Sequence, residues 1–284
     1  MNLARLLAHR IAPVRHPLEA RDCMLFALGL GLGGRPDDAA ELRFCLEDGL
    51  LASPAMVNVI AHPGLWVKEP TLEIDWIRLL HAEQRFTLHR PLRPGATYVG
   101  SYRVTDVVDR GADRGALLTL RKELYEDSAS ELAATVESVY LLRGDGGCGG
   151  TSTTVRPRLD IPSRAPDASV EQRVLPQAAL IYRLSGDLNP LHASPDAARR
   201  AGFERPILHG LCTLGIATHA VIRLCGEMAP ERLRSLGARF TAVVYPGDTL
   251  RTSLWRDGAS LRFRTHALER DVVVLDGGEG HWAD

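Results

Sequence analysis

An acid, an amide and an imidazole lie close together on one short segment of this sequence. The segment is Tyr182-Arg-Leu-Ser-Gly-Asp187-Leu-Asn189-Pro190-Leu-His192. Its Gly and Pro predict a kinked, extended loop, because glycine permits sharp turns and proline keeps the preceding residue out of helical geometry. Asp187 and His192 are five residues apart, so both side chains can face one small volume. A carboxylate beside an imidazole can exchange protons near neutral pH, and we expect acid–base chemistry here.

Two neighbours on the loop have alternative roles. The Asn189 amide orients a water molecule, or it makes an Asx-turn with Pro190. The Ser185 hydroxyl satisfies backbone groups of the loop, or it joins Gly186 in contacting a substrate. Residue types alone leave both choices open.

Seventeen residues after His192, the pair His209-Gly210 stands where a helix is predicted to begin. The first N–H groups of a helix lack internal partners and carry partial positive charge. Glycine there lets a carbonyl oxygen approach, which suits stabilisation of an enolate or thioester oxyanion. The alternative is that Gly210 only relieves crowding. For His209, also a candidate for substrate contact, we favour holding the loop by hydrogen bonds.

Other kinds of site have no support in the sequence. The remaining histidines, including His81, His89, His219 and His266, are isolated, so a surface or core role is expected for each. Metal-ligand spacing, a dinucleotide fingerprint, a P-loop and a serine nucleophile elbow are all missing from the sequence. We therefore expect no metal and no cofactor.

The composition is that of an ordinary globular protein. The chain has 284 residues, 45% hydrophobic residues and a net charge of −1, which gives no reason to expect nucleic acid or a membrane as a partner. Lys68 and Lys122 are its only lysines. The five cysteines form no C-x-x-C pair, which fits a reducing compartment. We expect a cytoplasmic protein.

The sequence divides into two similar halves. A stretch rich in Gly, Ser, Thr and Pro, residues 144–169, predicts a linker. The predicted units are residues 1–145, a linker over 146–170 and a C-terminal unit over 171–284. Four short matches recur in the same order, among them Arg85-Phe-Thr with Arg239-Phe-Thr, and they indicate a duplication.

Each half has the pattern of a loop, an apolar helix and a run of strands. One buried helix wrapped by a bent antiparallel sheet is an α+β plan, and two such sheets side by side would remove two exposed edges. The predicted helices are 75–84 and 210–228. The predicted strands are 86–92, 97–108, 116–126, 131–142, 238–244, 249–257, 260–269 and 271–275.

The duplication is unequal. Where the second half has the Asp187 to His192 motif, the first has Gly29-Leu-Gly31-x-Gly33-Gly34 and no histidine within reach. One active site per chain follows, in the second half. The first half keeps the scaffold without the chemistry, so it is free to hold something else.

At these residues the chain resembles the R-specific, type-two enoyl-CoA hydratases of the MaoC-like dehydratase family, most of all the two-domain hydratase unit of peroxisomal multifunctional enzymes. The resemblance also includes Leu80-His-x-Glu-Gln84 and Pro206-Ile-Leu-His-Gly-Leu-Cys-Thr213. It implies a double hotdog fold and reversible hydration of trans-2-enoyl-CoA to the (3R)-3-hydroxyacyl-CoA. It further implies that Asp187 and His192 activate water with help from Asn189, and that the Gly210 amide binds the thioester oxygen.

Three other functions compete with this one. The first is a (3R)-3-hydroxyacyl thioester dehydratase acting on acyl carrier protein. The second is a non-catalytic acyl-thioester-binding protein, and the third is a thioesterase on the same fold. Family analogy also suggests a homodimer.

Overall fold

A ten-stranded antiparallel sheet dominates the computed structural model, which describes residues 1–226 and 228–283. In chain order the strands are Val14–Pro17 (β1), Leu79–Leu88 (β2), Thr97–Asp109 (β3), Ala116–Glu126 (β4), Glu131–Leu142 (β5), Ala168–Arg173 (β6), Leu233–Phe240 (β7), Thr249–Asp257 (β8), Ser260–Ala267 (β9) and Val272–Trp282 (β10). Across the sheet they are ordered β1-β3-β4-β5-β2-β7-β10-β9-β8-β6.

This order mirrors itself about the β2–β7 pair. Each strand of the first half has a counterpart at the same distance from the centre, from β5 and β10 out to β1 and β6. The mirror symmetry supports the duplication inferred from the sequence. It also confirms that the two sheets continue side by side, so the edges that β2 and β7 would expose in isolated units are paired.

A buried ionic network ties the two halves together at this junction. Glu83 on β2 lies opposite Arg239 on β7 and forms an ion pair with its Nε at 2.7 Å. Glu83 also accepts from Arg85 at 2.8 Å, and Arg85 reaches Glu279 on β10 at 2.8 Å. Because these side chains are largely withdrawn from water, each charge depends on its partners.

Removing the Glu83 carboxylate from this network should therefore destabilise the folded protein. We expect Glu83→Ala to lower the free energy of unfolding by about 3 kcal/mol, since two partly buried guanidinium groups lose a carboxylate. Glu171 makes a comparable pair with Arg251 on the surface, and Glu171→Ala should cost about 1 kcal/mol or less. Urea unfolding of both variants measures the difference, and equal losses would contradict a stabilising role for the network.

The α-helices are mostly short. They are Leu3–Ala8 (α1), Ala20–Gly29 (α2), Ala39–Leu42 (α3), Ala178–Tyr182 (α4), Pro195–Arg200 (α5) and Gly210–Cys225 (α6). Eleven of the sixteen residues of α6 are buried. An apolar helix of this kind forms the centre of a core, and the main hydrophobic cluster surrounds it on both sides of the junction.

The first half lacks an equivalent of this long central helix. Its counterpart by position is Pro54–Asn58, a five-residue 3₁₀ helix that is buried throughout and contacts α6. The longest helix of the first half among the described residues is the ten-residue α2, which packs on α4. A short segment thus stands in the first half where the second half has a long central helix.

Most predicted strands are confirmed, with shifted ends. The predictions for β3, β4, β5 and β8 match within a residue, whereas β7 begins at Leu233 and β10 extends to Trp282. Helix α6 ends at Cys225, and the predicted range also included Glu227, which lies outside the described residues.

The helix predicted over residues 75–84 is wrong. That stretch is one 3₁₀ turn, Trp76–Arg78, followed by β2, and β2 replaces the strand predicted over 86–92. A β-bulge explains the error. His81 pairs with Tyr140 and Glu83 with Val139, so Ala82 is an extra residue that interrupts the alternation of a strand.

The predicted linker crosses the outer face of the sheet. The Arg156 carbonyl accepts from Arg239 on β7, and Arg158 pairs with Asp276 on β10. The Arg164 carbonyl accepts from the Trp255 indole on β8 at 2.8 Å. Within the part of the chain that the structure describes, no helix is long and apolar enough to span a membrane.

Candidate active site

Hydrogen bonds between backbone N–H groups and side chains of the same loop hold the acidic loop in shape. Gly186 ends a 3₁₀ turn with φ +116°, a left-handed conformation that glycine adopts without strain. The Asp187 carboxylate accepts from the Asn189 N–H at 3.1 Å. The Asn189 side-chain oxygen accepts from the Leu191 N–H at 3.1 Å and caps the turn Pro190–His192. Asn189 Oδ1 therefore makes the predicted Asx-turn. The NH₂ group of the same side chain has no hydrogen-bond partner among the described residues.

His192 is buried and its tautomer is fixed. Its Nδ1 lies 2.8 Å from the Ile207 carbonyl oxygen, which can only accept, so Nδ1 carries the hydrogen. Nε2 is then the basic nitrogen. Burial lowers the pKa of His192 below its usual 6.5, although the bond to Ile207 and the charge of Asp187 oppose this. The ring is neutral at pH 7 and can take a proton.

Three side chains converge at this point. The metal-ligating atoms of Asp187, His192 and His209 all lie within 4.8 Å of one another. Asp187 is exposed, whereas the two imidazoles are buried and stacked, with ring centroids 3.7 Å apart. Burial, and next the neighbouring His192, lowers the pKa of His209 to about 4. Two neutral rings can stack in this way, while two charged rings would repel each other.

His209 holds the loop, as expected from the sequence. Its Nε2 donates to the backbone carbonyl oxygen of Asp187 at 3.2 Å. That the site needs no metal and no cofactor stays a prediction.

Gly210 places a free N–H beside these groups. It directly follows His209, is exposed, and is the first residue of α6. Its N–H has no hydrogen-bond acceptor among the described residues. A Cβ at this position would lie 3.2 Å from the Phe240 ring. An N–H that is both unpaired and at a helix N-terminus is a suitable oxyanion donor.

The other two predicted residues shape the loop. Ser185 is the last residue of the turn before Gly186, and a Cβ on Gly186 would meet no atom within 4 Å. Gly186 is therefore needed for its conformation rather than for space. Substrate contact by either residue stays a prediction.

The first half also contributes histidines, for which the sequence predicts a surface or core role. The negative charge of Asp187 acts to raise the pKa of both His62 and His81, against the larger lowering caused by burial. The His81 ring contacts those of Tyr140 and Phe240, each at a centroid distance of 5.0 Å. The signal was available in the Leu80-His-x-Glu-Gln84 match. The two halves are far apart in sequence, and the fold brings them together, in part through the β2–β7 pairing.

A chain of hydrogen bonds orients His81. The Ala55 carbonyl accepts from the Asn58 amide at 3.0 Å, so the Asn58 oxygen accepts from Gln84 at 2.7 Å. The Gln84 oxygen then accepts from His81 Nε2 at 2.8 Å. Because the chain begins at a backbone carbonyl, every donor in it is determined. The first half thus fixes a neutral imidazole at the edge of the site.

Two family models match the chain, one in each half. The model of the MaoC-like domain matches residues 159–277, and that of the MFE-2 hydratase 2 N-terminal domain matches residues 16–144. The chain is 34% identical to peroxisomal enoyl-CoA hydratase 2 of Arabidopsis thaliana, over 96% of this chain and 93% of that one. It is 37% identical to enoyl-CoA hydratase ChsH3 of Mycobacterium tuberculosis, over 96% of both chains.

Solved structures show the same fold. A MaoC-like dehydratase from Phytophthora capsici superposes with a TM-score of 0.87 at 30% identity, over all of both chains. A Mycobacterium tuberculosis protein described as a double hotdog superposes at 0.59 with 18% identity, over 97% of this chain and 96% of that one. The fold is a double hotdog, and the chain belongs to the MaoC-like dehydratase family, in its hydratase 2 branch.

Proposed function

We propose that the chain adds water reversibly to trans-2-enoyl-CoA, giving (3R)-3-hydroxyacyl-CoA, at the site formed by Asp187, His192 and Gly210. The observation that carries this is the neutral His192 with a free Nε2, next to a carboxylate and an unpaired helix N–H. Full-length similarity to proteins named enoyl-CoA hydratase supports a hydro-lyase. The substrate is then an acyl-CoA thioester.

The protonation states suggest how the water reacts. His192 Nε2 and the Asp187 side-chain oxygens can each accept a hydrogen bond, so one water can donate one hydrogen to each. As its oxygen bonds to the β-carbon, His192 Nε2 takes one proton, and the hydrogen facing Asp187 remains as that of the new hydroxyl. The imidazolium then returns its proton to the α-carbon. Atoms and charges balance, and His192 ends neutral.

Gly210 is proposed to act at the thioester end of the substrate. Attack at the β-carbon moves an electron pair towards the thioester oxygen. The Gly210 N–H, at the positive end of α6, can bind that oxygen as charge develops on it. The NH₂ group of Asn189 is available to hold the water.

Isotope labelling tests the reaction directly. In D₂O, hydration of crotonyl-CoA should give the (3R) product with one deuterium on the α-carbon, because His192 delivers a proton taken from the water. Mass spectrometry and chiral analysis of the product provide the readout. A (3S) product would exclude this reaction. Free thiol release would instead indicate a thioesterase, and turnover only of carrier-protein substrates would indicate the dehydratase.

The pH dependence follows from the state of His192. Protonation of Nε2 abolishes the base, and the pKa of His192 lies below 6.5. We expect kcat/KM to stay constant around pH 7 and to fall only below pH 6.5. The charge of Asp187 raises the pKa of His192, so the residual activity of Asp187→Asn should fall at a still lower pH. An acid limb centred above pH 6.5 in the wild type would contradict the assignment.

The first half is proposed to accommodate the acyl chain. Its central helix is replaced by Pro54–Asn58, and it carries His62 and His81 next to the catalytic loop. A long or bulky chain can then extend from the site beneath β2 to β5. A strong preference for crotonyl-CoA over medium- and long-chain enoyl-CoA would contradict this role.

Two further properties remain proposals. A cytoplasmic location fits five free cysteines, although the Arabidopsis relative is named peroxisomal. A homodimer is proposed by analogy alone, and light scattering in solution tests it.

A further inference from the structure

The interior of the first half contains a lysine without a counter-ion. Lys122 on β4 is only 5% exposed, and the described residues place no carboxylate within ion-pair distance of its ammonium group. Its one hydrogen bond goes to the Ile60 carbonyl oxygen, at 2.9 Å. Burial lowers the pKa of Lys122 to about 7. A buried ammonium group with two unused N–H groups is costly, and such groups are common at functional sites.

A second unpaired group points to the same place. Tyr102 on β3 pairs directly with Lys122, so both side chains lie on the inner face. The Tyr102 hydroxyl is buried without a partner among the described residues. It lies over Gly100, where a Cβ would be 2.6 Å from the hydroxyl and 3.1 Å from Ala61. Since Ala61 follows Ile60, the hydroxyl and the ammonium group converge on one short piece of backbone.

These groups lie along the course proposed for the acyl chain. Leu118 and Lys122 are on the same inner face of β4, four residues apart, which is about 13 Å along a strand. Leu118 pairs with Tyr140, whose ring contacts His81 at the active site. Lys122 therefore lies on the same face of β4 as Leu118, about 13 Å further along the strand from the end that adjoins the active site.

We propose that Lys122 and Tyr102 form the far end of the acyl-binding region and select trans-2-enoyl-CoA substrates whose chain ends in a carboxylate. One carboxylate oxygen accepts from the ammonium group and the other from the Tyr102 hydroxyl. The terminal carboxylate thus supplies the counter-ion that Lys122 lacks and the acceptor that the Tyr102 hydroxyl lacks. The inference rests on the proposed hydratase function and adds the substrate class.

Matched substrates and a matched lysine variant test this inference. For each chain length, the measured quantity is kcat/KM for the ω-carboxy enoyl-CoA divided by kcat/KM for the alkyl enoyl-CoA. Lys122→Met should lower this ratio by about 10- to 100-fold at the best length, the value of a charge-assisted hydrogen bond. Lys68→Met, at an exposed residue on Trp76, should leave it unchanged. An equal ratio in wild type and Lys122→Met at every length would overturn the proposal.

A binding measurement on the wild-type protein tests the inference even if Lys122→Met fails to fold. With only two lysines in the chain, ¹⁵Nζ labelling gives two resonances. A 3-hydroxyacyl-CoA with a terminal carboxylate should shift that of Lys122, whereas the alkyl compound of equal length should not. Equal shifts would overturn the selection by a carboxylate. Wild type that hydrates neither substrate class contradicts the proposed function itself, which separates the two failures.

Discussion

Replacing His192 with alanine is expected to lower kcat by about 10²- to 10⁴-fold, the usual contribution of a positioned acid–base group. His192 Nε2 is a buried basic nitrogen whose tautomer is fixed next to the Asp187 carboxylate. Without it, neither the water nor the α-carbon has a proton carrier. KM should change little, because the lost interaction operates mainly in the transition state.

Two controls separate chemistry from folding. His89 is an exposed imidazole on the other side of the sheet centre, bonded to Thr135 at 3.1 Å, and His89→Ala should keep full activity. Thermal unfolding of His192→Ala shows whether the loop survives the loss of the bond to Ile207. A well-folded His192→Ala protein that retains wild-type kcat would exclude His192 as the base.

Gly210→Pro is expected to lower kcat by about 10²- to 10³-fold, because proline removes the N–H proposed to bind the thioester oxygen. The backbone is compatible with the change. Proline is favoured at the first position of a helix, and the preceding residue, His209, has φ −61° and ψ 135°, as proline requires. The hydrogen that is lost has no acceptor among the described residues, so the helix loses no internal bond.

Gly210→Ala is the matched control for this variant. Alanine keeps the N–H and introduces the same Cβ, 3.2 Å from the Phe240 ring. The ratio of kcat between the two variants therefore isolates the N–H from the crowding. A ratio near one would show that the N–H does not stabilise the transition state, and that Gly210 only provides space.

The catalytic loop was predictable because its chemistry is local. Asp187, Asn189 and His192 lie within six residues, and the turns that orient them use Gly and Pro at defined positions. Strands β3, β4 and β8 were predictable from their alternation. The pairing of the two sheets followed from the cost of exposed edges.

What the sequence did not show depends on contacts between its halves. A one-residue bulge at Ala82 hid β2, and with it the position of His81. His62 has no motif of its own and reaches the site only through the fold. The unpaired state of Lys122 is a property of burial, which residue type alone does not predict. Each of these features requires long-range packing.

The most direct test of the active site is hydration of crotonyl-CoA and of a longer trans-2-enoyl-CoA by wild type, Asp187→Asn and His192→Ala, followed by the loss of enoyl absorbance. We predict turnover by the wild type to the (3R) product and a fall in that turnover by about 10²-fold or more in both variants, with all three proteins folded. No turnover of any enoyl-CoA by folded wild type, or full activity in either variant, would contradict the assignment of hydration to Asp187 and His192.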